Sequence, residues 1–168
     1  MHKKIAIVVV DNDWAIGKNN GLLYQLKEDM RYFRENTSGN IVIYGYNTLL
    51  SFPGEKPLPK RTNIVVYPDD LDRDDVTVAH TLDEIDVILE SIRDDRPAFI
   101  CGGASIYAQM IDRCDETYIT KVDASTPDAT VFFPNIDEKP EWSLYEQSDP
   151  VKTENGYVIR FCKYRKKN

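Results

Sequence analysis

Short runs of apolar residues, many of them β-branched, alternate along the chain with longer amphipathic and polar segments. Residues 5–10 form the first run, and its lack of alternating polar positions predicts a central strand buried on both faces. Similar runs predict further strands, at residues 41–44, 62–67, 76–78, 98–101 and 117–122. Helical segments between several of these strands imply crossover connections, so we expect a largely parallel sheet.

Helical spacing is clearest in residues 25–36, where Leu26, Met30 and Phe33 recur at i, i+4 and i+7. This spacing predicts that these three side chains form the face turned to the core. The remaining helices are predicted at three places: after Gly45, from the capping box at residues 81–84, and over residues 104–111.

Two segments depart from this alternation of strands and helices. Residues 11–21 collect Asn, Asp and Gly and are interpreted as one long loop. Residues 142–146 and 157–164 are predicted strands without an intervening helix, and Asn155-Gly156 between them indicates a hairpin. We therefore expect a single α/β domain over residues 1–168, with a mixed, mostly parallel sheet and an antiparallel C-terminal edge.

Composition excludes several classes of protein. Three cysteines without a CxxC pair, and only two histidines, suggest neither a disulfide framework nor a structural metal site. A net charge of −7 argues against nucleic acid as a partner. The first apolar run ends at Asp11, which is too early for a signal peptide or a membrane span. We expect a cytoplasmic protein.

Asp29 lies three residues after Leu26 and four before Phe33, on or beside the predicted inward face of the first helix. Spacing alone leaves two interpretations open. The carboxylate either reaches solvent at the edge of that face, or it is a desolvated acid with a raised pKa that binds a hydrogen-bond-donating heterocycle.

Two glycine turns each connect a predicted strand to a predicted helix. Gly102-Gly103 would let the backbone approach an anion such as a diphosphate, although glycine there is also explained by close helix packing. Residues 45–48 repeat the arrangement, and the Thr48 hydroxyl would bind a second phosphate; an N-capped turn is the alternative. The full GxGxxG fingerprint is missing, which disfavours an ordinary Rossmann domain.

Arg61 follows the rigid segment Pro57-Leu58-Pro59. A guanidinium held there could bind a substrate carboxylate through two parallel hydrogen bonds. The alternative is an exposed surface arginine.

Five segments, taken in order and spacing, resemble the dihydrofolate reductases: residues 16–17, 33–37, 57–63, 102–107 and 132–134. The resemblance covers essentially the whole chain. It implies a central eight-stranded mixed sheet flanked by about four helices. It also implies reduction of dihydrofolate to tetrahydrofolate by hydride from NADPH, in one-carbon metabolism, by a monomer that is an antifolate target.

The same resemblance implies roles for individual residues. The catalytic residues would be Asp29, Thr120, Tyr24 and Leu22. The substrate would contact Val9, Asp29, Phe33, Phe52, Leu58, Arg61, Cys101, Tyr107 and Thr120. The cofactor would contact Val8, Ile16, Gly17, Asn20, Gly45, Tyr46, Asn47, Thr48, Tyr67, Pro68, Gly102, Gly103, Ala104, Ser105 and Ile106. The loop from Ile16 to Tyr24 would close over the nicotinamide, and Gly102-Gly103 would carry a cis peptide.

The chain departs from the family pattern at several positions. Leu23-Tyr24 stands where proline and tryptophan are usual. Tyr46, Tyr67-Pro68 and Ser105 replace arginines and serines that bind the 2′-phosphate of NADPH, which makes use of NADH possible. Two other classes remain open: a reductase similar to the riboflavin-pathway pyrimidine reductases, and a folate- or nucleotide-binding protein with little catalytic activity.

Overall fold

A computed structural model describes residues 1–18 and 21–167 of the chain. Its strands are β1 (Lys4–Val10), β2 (Ala15–Lys18), β3 (Gly21–Leu22), β4 (Ile41–Gly45), β5 (Thr62–Val66), β6 (Thr77–Ala79), β7 (Ala98–Ile100), β8 (Glu116–Val122), β9 (Val131–Phe132), β10 (Trp142–Gln147), β11 (Val151–Lys152) and β12 (Val158–Lys166). The α-helices of this described part are α1 (Lys27–Thr37), α2 (Tyr46–Ser51), α3 (Leu82–Ser91) and α4 (Ala104–Met110).

The described residues form a main sheet whose eight-strand path is β10-β12-β8-β1-β7-β4-β5-β6, with β11 added beside β12. The pairs from β8 through β1, β7, β4 and β5 to β6 are parallel. The C-terminal strand β12 is antiparallel to β8, β10 and β11. The predicted mixed sheet with a central first strand, an antiparallel edge and four flanking helices is therefore confirmed.

Apolar residues cover both faces of the parallel region. Ile41 and Ile43 of β4 belong to one core cluster, whereas Val42 and Tyr44, the residues that alternate with them, belong to another. Burial on both faces explains why these strands appear in the sequence as continuous apolar runs. The Tyr44 hydroxyl donates to Asn63 Oδ1 at 2.6 Å, so this buried polar group is satisfied.

The interpretation of residues 11–21 as one loop is wrong in part. Within this segment β2 pairs antiparallel with β9, and with β3 at the segment's end, which makes a small second sheet. Ala15 and Ile16 are buried there. Their partner β9 lies more than a hundred residues later, so no local pattern could show this pairing.

The prediction of which residues of the first helix face the core is also wrong in part. The helix begins at Lys27, Leu26 precedes it, and the Met30 side chain is 54% exposed. The inward face instead carries Phe33 and the fully buried Thr37, whose hydroxyl donates to the Phe33 carbonyl at 2.8 Å. Polar residues occupy part of the inward face, so the spacing of apolar residues alone assigned the wrong side of the helix to the core.

Helix α3 begins as its capping box predicts. Thr81 Oγ1 accepts a hydrogen bond from the Glu84 N–H at 3.1 Å. The Glu84 carboxylate accepts from the backbone N–H of His80, one residue earlier than a capping box would place it.

The parallel strands β1, β7, β4 and β5 all end at one edge of the sheet. The turns that follow them are therefore neighbours: Asp11 follows β1, Gly102 follows β7 by one residue, and Tyr67 follows β5. Ligands of open α/β sheets bind beyond such carboxyl ends. Among the described residues, no helix is long and apolar enough to cross a membrane.

Candidate active site

Asp29 lies in the first turn of α1, where its side chain contacts β8. Thr120 of β8 is 1% exposed, and its Oγ1 donates to Asp29 Oδ1 at 2.6 Å. Val9 of β1 is the register partner of Thr120. The sequence left two interpretations of Asp29 open, and this contact favours the buried acid over the solvated one.

Burial raises the pKa of the Asp29 carboxyl, and the hydrogen bond from Thr120 partly opposes that rise. The two effects have different physical origins. Desolvation disfavours the charged carboxylate, whereas a donated hydrogen bond stabilises it. The result is an acid that holds its proton more tightly than an exposed aspartate and that can pair with a polar ligand group.

Four of the predicted pocket residues are brought together: Phe33, Phe52, Leu58 and Cys101 all pack against the same core cluster. Burial raises the pKa of the Cys101 thiol to about 12. The thiol is therefore protonated near neutral pH and contributes apolar surface, not a nucleophile. Val9 packs in a neighbouring cluster around Tyr24.

Arg61 is held in place by two hydrogen bonds. Its Nε donates to Thr37 Oγ1 at 3.1 Å, and its Nη1 donates to the Pro59 carbonyl at 2.9 Å. The guanidinium carbon lies 6.0 Å from the centre of the Phe33 ring. The charge is thus fixed at the rim of the Phe33 pocket, and this favours the carboxylate-capture interpretation.

The two glycine turns lie side by side at the carboxyl edge. The Gly45 N–H donates to the Gly102 carbonyl at 2.9 Å, and the peptide between Gly102 and Gly103 is cis. A Cβ at Gly45 would lie 3.1 Å from Ile106 Cγ1, and Gly102 has a φ of +123°. The backbone at Gly102 therefore favours glycine, and a side chain at Gly45 would require Ile106 to shift.

Thr48 and Tyr107 pack closely around these turns. Thr48 Oγ1 lies 3.6 Å from where a Cβ of Gly102 would be, and the Tyr107 ring lies at 3.7 Å from it. The Tyr107 hydroxyl donates to the Ile7 carbonyl at 2.6 Å, so the ring is anchored to β1. Val8, Ala104 and Ile106 belong to the core cluster on this side of the sheet.

Two tyrosines pack together in the part of the candidate cofactor site that follows β4 and β5. The rings of Tyr46 and Tyr67 lie 4.8 Å apart between centroids. Pro68 and Asn47 are exposed beside them. Ser105 is exposed as well, and its hydroxyl accepts from Gln109 Nε2 at 2.7 Å.

The loop predicted to cover the nicotinamide contains β2 and β3. Ile16 and Gly17 are buried, and the Gly17 carbonyl accepts from the Thr130 N–H at 3.1 Å. Leu22, in β3, is 66% exposed and does not pack in the cluster that contains Phe33. The prediction for Asn20 lies outside the described residues.

Tyr24 is buried, and its hydroxyl shares a hydrogen bond with Thr126 Oγ1 at 2.8 Å. Sequence reasoning missed Thr126 and also Asp11, whose carboxylate accepts from the Thr126 N–H at 3.0 Å. The position of Asp11 directly after a predicted buried strand could have marked it as a candidate site residue. No neighbouring residues in the sequence mark Thr126 in this way.

Taken together, the fold and the site are those of an α/β protein with glycine turns at the carboxyl edge of its sheet, where ligands of open sheets bind, and a partly buried acid in its first helix. A family model described as dihydrofolate reductase matches residues 4–166. The chain belongs to the dihydrofolate reductase family. It is an oxidoreductase that reduces 7,8-dihydrofolate to 5,6,7,8-tetrahydrofolate with hydride from a nicotinamide dinucleotide.

Individual relatives are similar in sequence to this chain along nearly their whole length. The chain is 34% identical over 164 residues to dihydrofolate reductase of Bacillus subtilis, covering 96% of this chain and 94% of that protein. It is 30% identical over 156 residues to the Haemophilus influenzae enzyme, covering 92% and 93%. A solved structure of dihydrofolate reductase from Enterococcus faecalis, complexed with NADP(H) and RAB-propyl, is similar with a TM-score of 0.84 and 27% identity, covering 99% and 97%.

Replacing Asp29 with asparagine should increase the free energy of unfolding at neutral pH, because the buried carboxylate is disfavoured in the folded state. An acid with a raised folded-state pKa binds its proton more tightly when folded. The wild type should therefore gain stability relative to Asp29→Asn as pH falls from the folded to the unfolded pKa of Asp29. Urea unfolding across this pH range measures the difference, which should shrink on acidification; a constant difference would contradict this prediction.

Proposed function

We propose that Asp29 and Thr120 form the centre at which the pterin ring of dihydrofolate is bound and reduced. The observation that carries this proposal is the 2.6 Å hydrogen bond from Thr120 to the partly buried Asp29 carboxyl. Thr120 takes one lone pair of Oδ1, which leaves Oδ2 and the second lone pair of Oδ1 to accept from the ring N–H and the amino group of the pterin. Two parallel hydrogen bonds to one carboxyl group fix the orientation of a flat ring.

The proton that accompanies reduction goes to N5 of the pterin. We infer that it arrives from water, and that the negative charge of Asp29 favours protonation of the bound ring. The nicotinamide cofactor supplies hydride to C6. Asp29 therefore acts by binding and by electrostatic stabilisation, and Thr120 keeps its carboxyl group oriented.

The remaining substrate contacts extend from this centre to the rim of the pocket. Phe33, Phe52, Leu58 and Cys101 supply the apolar wall, with Val9 and Tyr107 at its inner end. Arg61 takes the α-carboxylate of the glutamate tail, because Thr37 and Pro59 already fix its guanidinium in position.

The turns at the carboxyl edge would receive the dinucleotide, because they lie side by side at the ends of parallel strands, where ligands of open α/β sheets bind. Thr48, Asn47, Gly103, Ala104 and Ser105 would bind this region. The nicotinamide end would lie against Val8, Ile16, Gly17 and Ile106, and the adenosine end against Tyr46, Tyr67 and Pro68.

We propose NADPH as the cofactor, with weak discrimination against NADH. Tyr46 offers an aromatic ring packed on Tyr67 in place of a cation. Arg73, in the loop after β5, is bound to the Asp75 carboxylate at 2.7 Å and to the Glu55 carbonyl at 2.7 Å. Acidic residues surround it in sequence, and they disfavour an additional phosphate.

The protein is further proposed to act as a single-domain, cytoplasmic monomer.

The catalytic proposal predicts that Asp29→Asn lowers kcat by about 10²-fold or more, because the charge that favours N5 protonation is lost. Loss of nicotinamide absorbance with dihydrofolate measures turnover. Glu28→Gln is the matched control: the neighbouring Glu28 binds the Glu154 N–H instead, so its turnover should change by less than about twofold. Equal turnover in wild type and Asp29→Asn would rule out the assignment.

The role of Arg61 predicts that Arg61→Leu raises KM for dihydrofolate by about 10- to 100-fold with little change in kcat, since a charged hydrogen-bonded contact away from the reacting atoms is lost. Dihydropteroate, which lacks the glutamate, provides the control. With it, wild type and variant should have similar KM values. A difference of the same size with dihydropteroate would show that Arg61 acts through the fold of the pocket.

The cofactor proposal predicts that Tyr46→Arg raises the ratio of kcat/KM for NADPH over NADH by about five- to tenfold, through a new charged contact with the 2′-phosphate. Tyr46→Phe keeps the ring packed on Tyr67 without adding a cation, so its ratio should stay close to that of the wild type. A wild-type preference for NADPH of about 10²-fold or more would contradict weak discrimination.

A further inference from the structure

Arg96 is a charged residue to which the reaction described above assigns no role. It lies in the loop between α3 and β7. Its Nη1 donates to the Gly39 carbonyl and to Thr62 Oγ1, each at 3.1 Å. Gly39 lies in the turn between α1 and β4 (residues 38–40), and Thr62 begins β5. One guanidinium nitrogen therefore joins this α1–β4 turn to the first residue of β5.

The Arg96 side chain is held in this position from its own loop. Asp94 Oδ2 accepts from Arg96 Nε at 2.9 Å, and Asp94 Oδ1 accepts from the Arg96 backbone N–H at 3.0 Å. The bond from this N–H, with the guanidinium beside it, lowers the pKa of the Asp94 carboxyl below its ordinary value. The Arg96 carbonyl accepts from His2 Nδ1 at 2.6 Å. The guanidinium is therefore directed toward its two remaining acceptors by a charged partner.

Arg61 is flanked by hydrogen bonds to the same turn. The Gly39 N–H donates to the Lys60 carbonyl at 2.8 Å, and the Thr62 N–H donates to the Asn40 carbonyl at 3.0 Å. The residues before and after Arg61 are both fixed to the α1–β4 turn in this way. A shift of the turn against β5 would consequently move the backbone that carries Arg61.

Thr37 connects the turn to the Arg61 side chain as well. It is the last residue of α1, directly before the turn, and its Oγ1 accepts from Arg61 Nε at 3.1 Å. The direction of the Arg61 guanidinium thus depends on how the turn lies against the start of β5. Arg96 fixes this relation through its charge-assisted hydrogen bonds to both segments.

Arg96 reaches β5 from the face of the sheet opposite to the proposed pocket. Side chains two residues apart in a strand share a face, so Thr62 lies on the same face as Ile64. Ile64 belongs to the core cluster that includes α3, whereas the Arg61 guanidinium lies over the Phe33 ring in the other cluster. Arg96 therefore acts on the pocket through other residues and not by contact with the substrate.

We propose that Arg96 is a positioning residue for recognition of the glutamate part of the substrate. By holding the α1–β4 turn against β5, it keeps Arg61 directed toward the α-carboxylate. A guanidinium that is fixed in advance loses less conformational entropy when it binds its partner. This inference rests on the proposed contact between Arg61 and that carboxylate.

Arg96→Met in the complete protein tests the proposal, because it removes the donors and keeps a long side chain. KM for dihydrofolate should rise by about three- to tenfold, since the hydrogen bonds that orient Arg61 are weakened while Arg61 itself remains. Turnover at saturation and KM for dihydropteroate, which lacks the glutamate, should each change by less than about twofold. Thr62→Val removes one acceptor in a side chain of similar shape, and it should give the same pattern at about two- to threefold.

A double-mutant cycle shows whether Arg96 acts through Arg61. In the Arg61→Leu background, Arg96→Met should leave KM for dihydrofolate unchanged, because the contact that it orients is already absent. Thr62→Ser keeps the hydroxyl and should behave as the wild type. Arg113→Met is the matched control: it removes another arginine, bound to two aspartates of α3, and both KM values should stay at the wild-type level. Urea unfolding of every variant checks that folded protein is compared.

The proposal is overturned if Arg96→Met raises the two KM values equally, if it mainly lowers kcat, if its effect persists in the Arg61→Leu background, or if neither it nor Thr62→Val changes KM for dihydrofolate. Arg61→Leu alone keeps this test separate from the proposed function. If Arg61→Leu raises KM for dihydrofolate and Arg96→Met does not, only the role of Arg96 fails. If Arg61→Leu leaves that KM unchanged, the proposed carboxylate contact fails, and this inference fails with it.

Discussion

The hydrogen bond between Thr120 and the partly buried carboxyl of Asp29 is the contact on which the proposed site depends most. A charge in that position costs folding free energy unless it is partnered, and Thr120 supplies one of the partners. The bond connects α1 to β8, and the same helix carries Phe33, which packs in the pocket cluster, and Thr37, which holds Arg61. Substrate recognition therefore extends outward from this acid along one helix.

The parallel arrangement of the sheet supplies the second constraint. Because β1, β7 and β4 are adjacent and parallel, the turns at their carboxyl ends must be adjacent as well. This brings the Gly45 and Gly102 backbones within hydrogen-bond distance, although 57 residues separate them in the chain. The antiparallel strand β12 lies on the other side of β8, and its hairpin contributes Tyr157, which packs against Tyr24.

The features that could be predicted from the sequence were those encoded locally. Strand β1, the N-cap of α3 and the glycine turns each depend on a few consecutive residues, and the resemblance to a family supplied the number of strands in the sheet and its mixed character. Met30 was placed on the wrong face because Thr37, a polar residue, fills part of the inward side of α1. The pairing of β2 with β9 and the bond from Tyr24 to Thr126 join distant segments, and no spacing along the chain indicates them.

The measurement that tests this account most directly is titration of the Asp29 carboxyl by ¹³C NMR in the ligand-free protein, with Asp29→Asn used to assign the resonance. We expect a pKa above that of an exposed aspartate, because burial outweighs the hydrogen bond from Thr120. In Thr120→Val the pKa should rise further, since the donor that stabilises the charged form is gone. A wild-type pKa at or below the ordinary aspartate value would contradict the account.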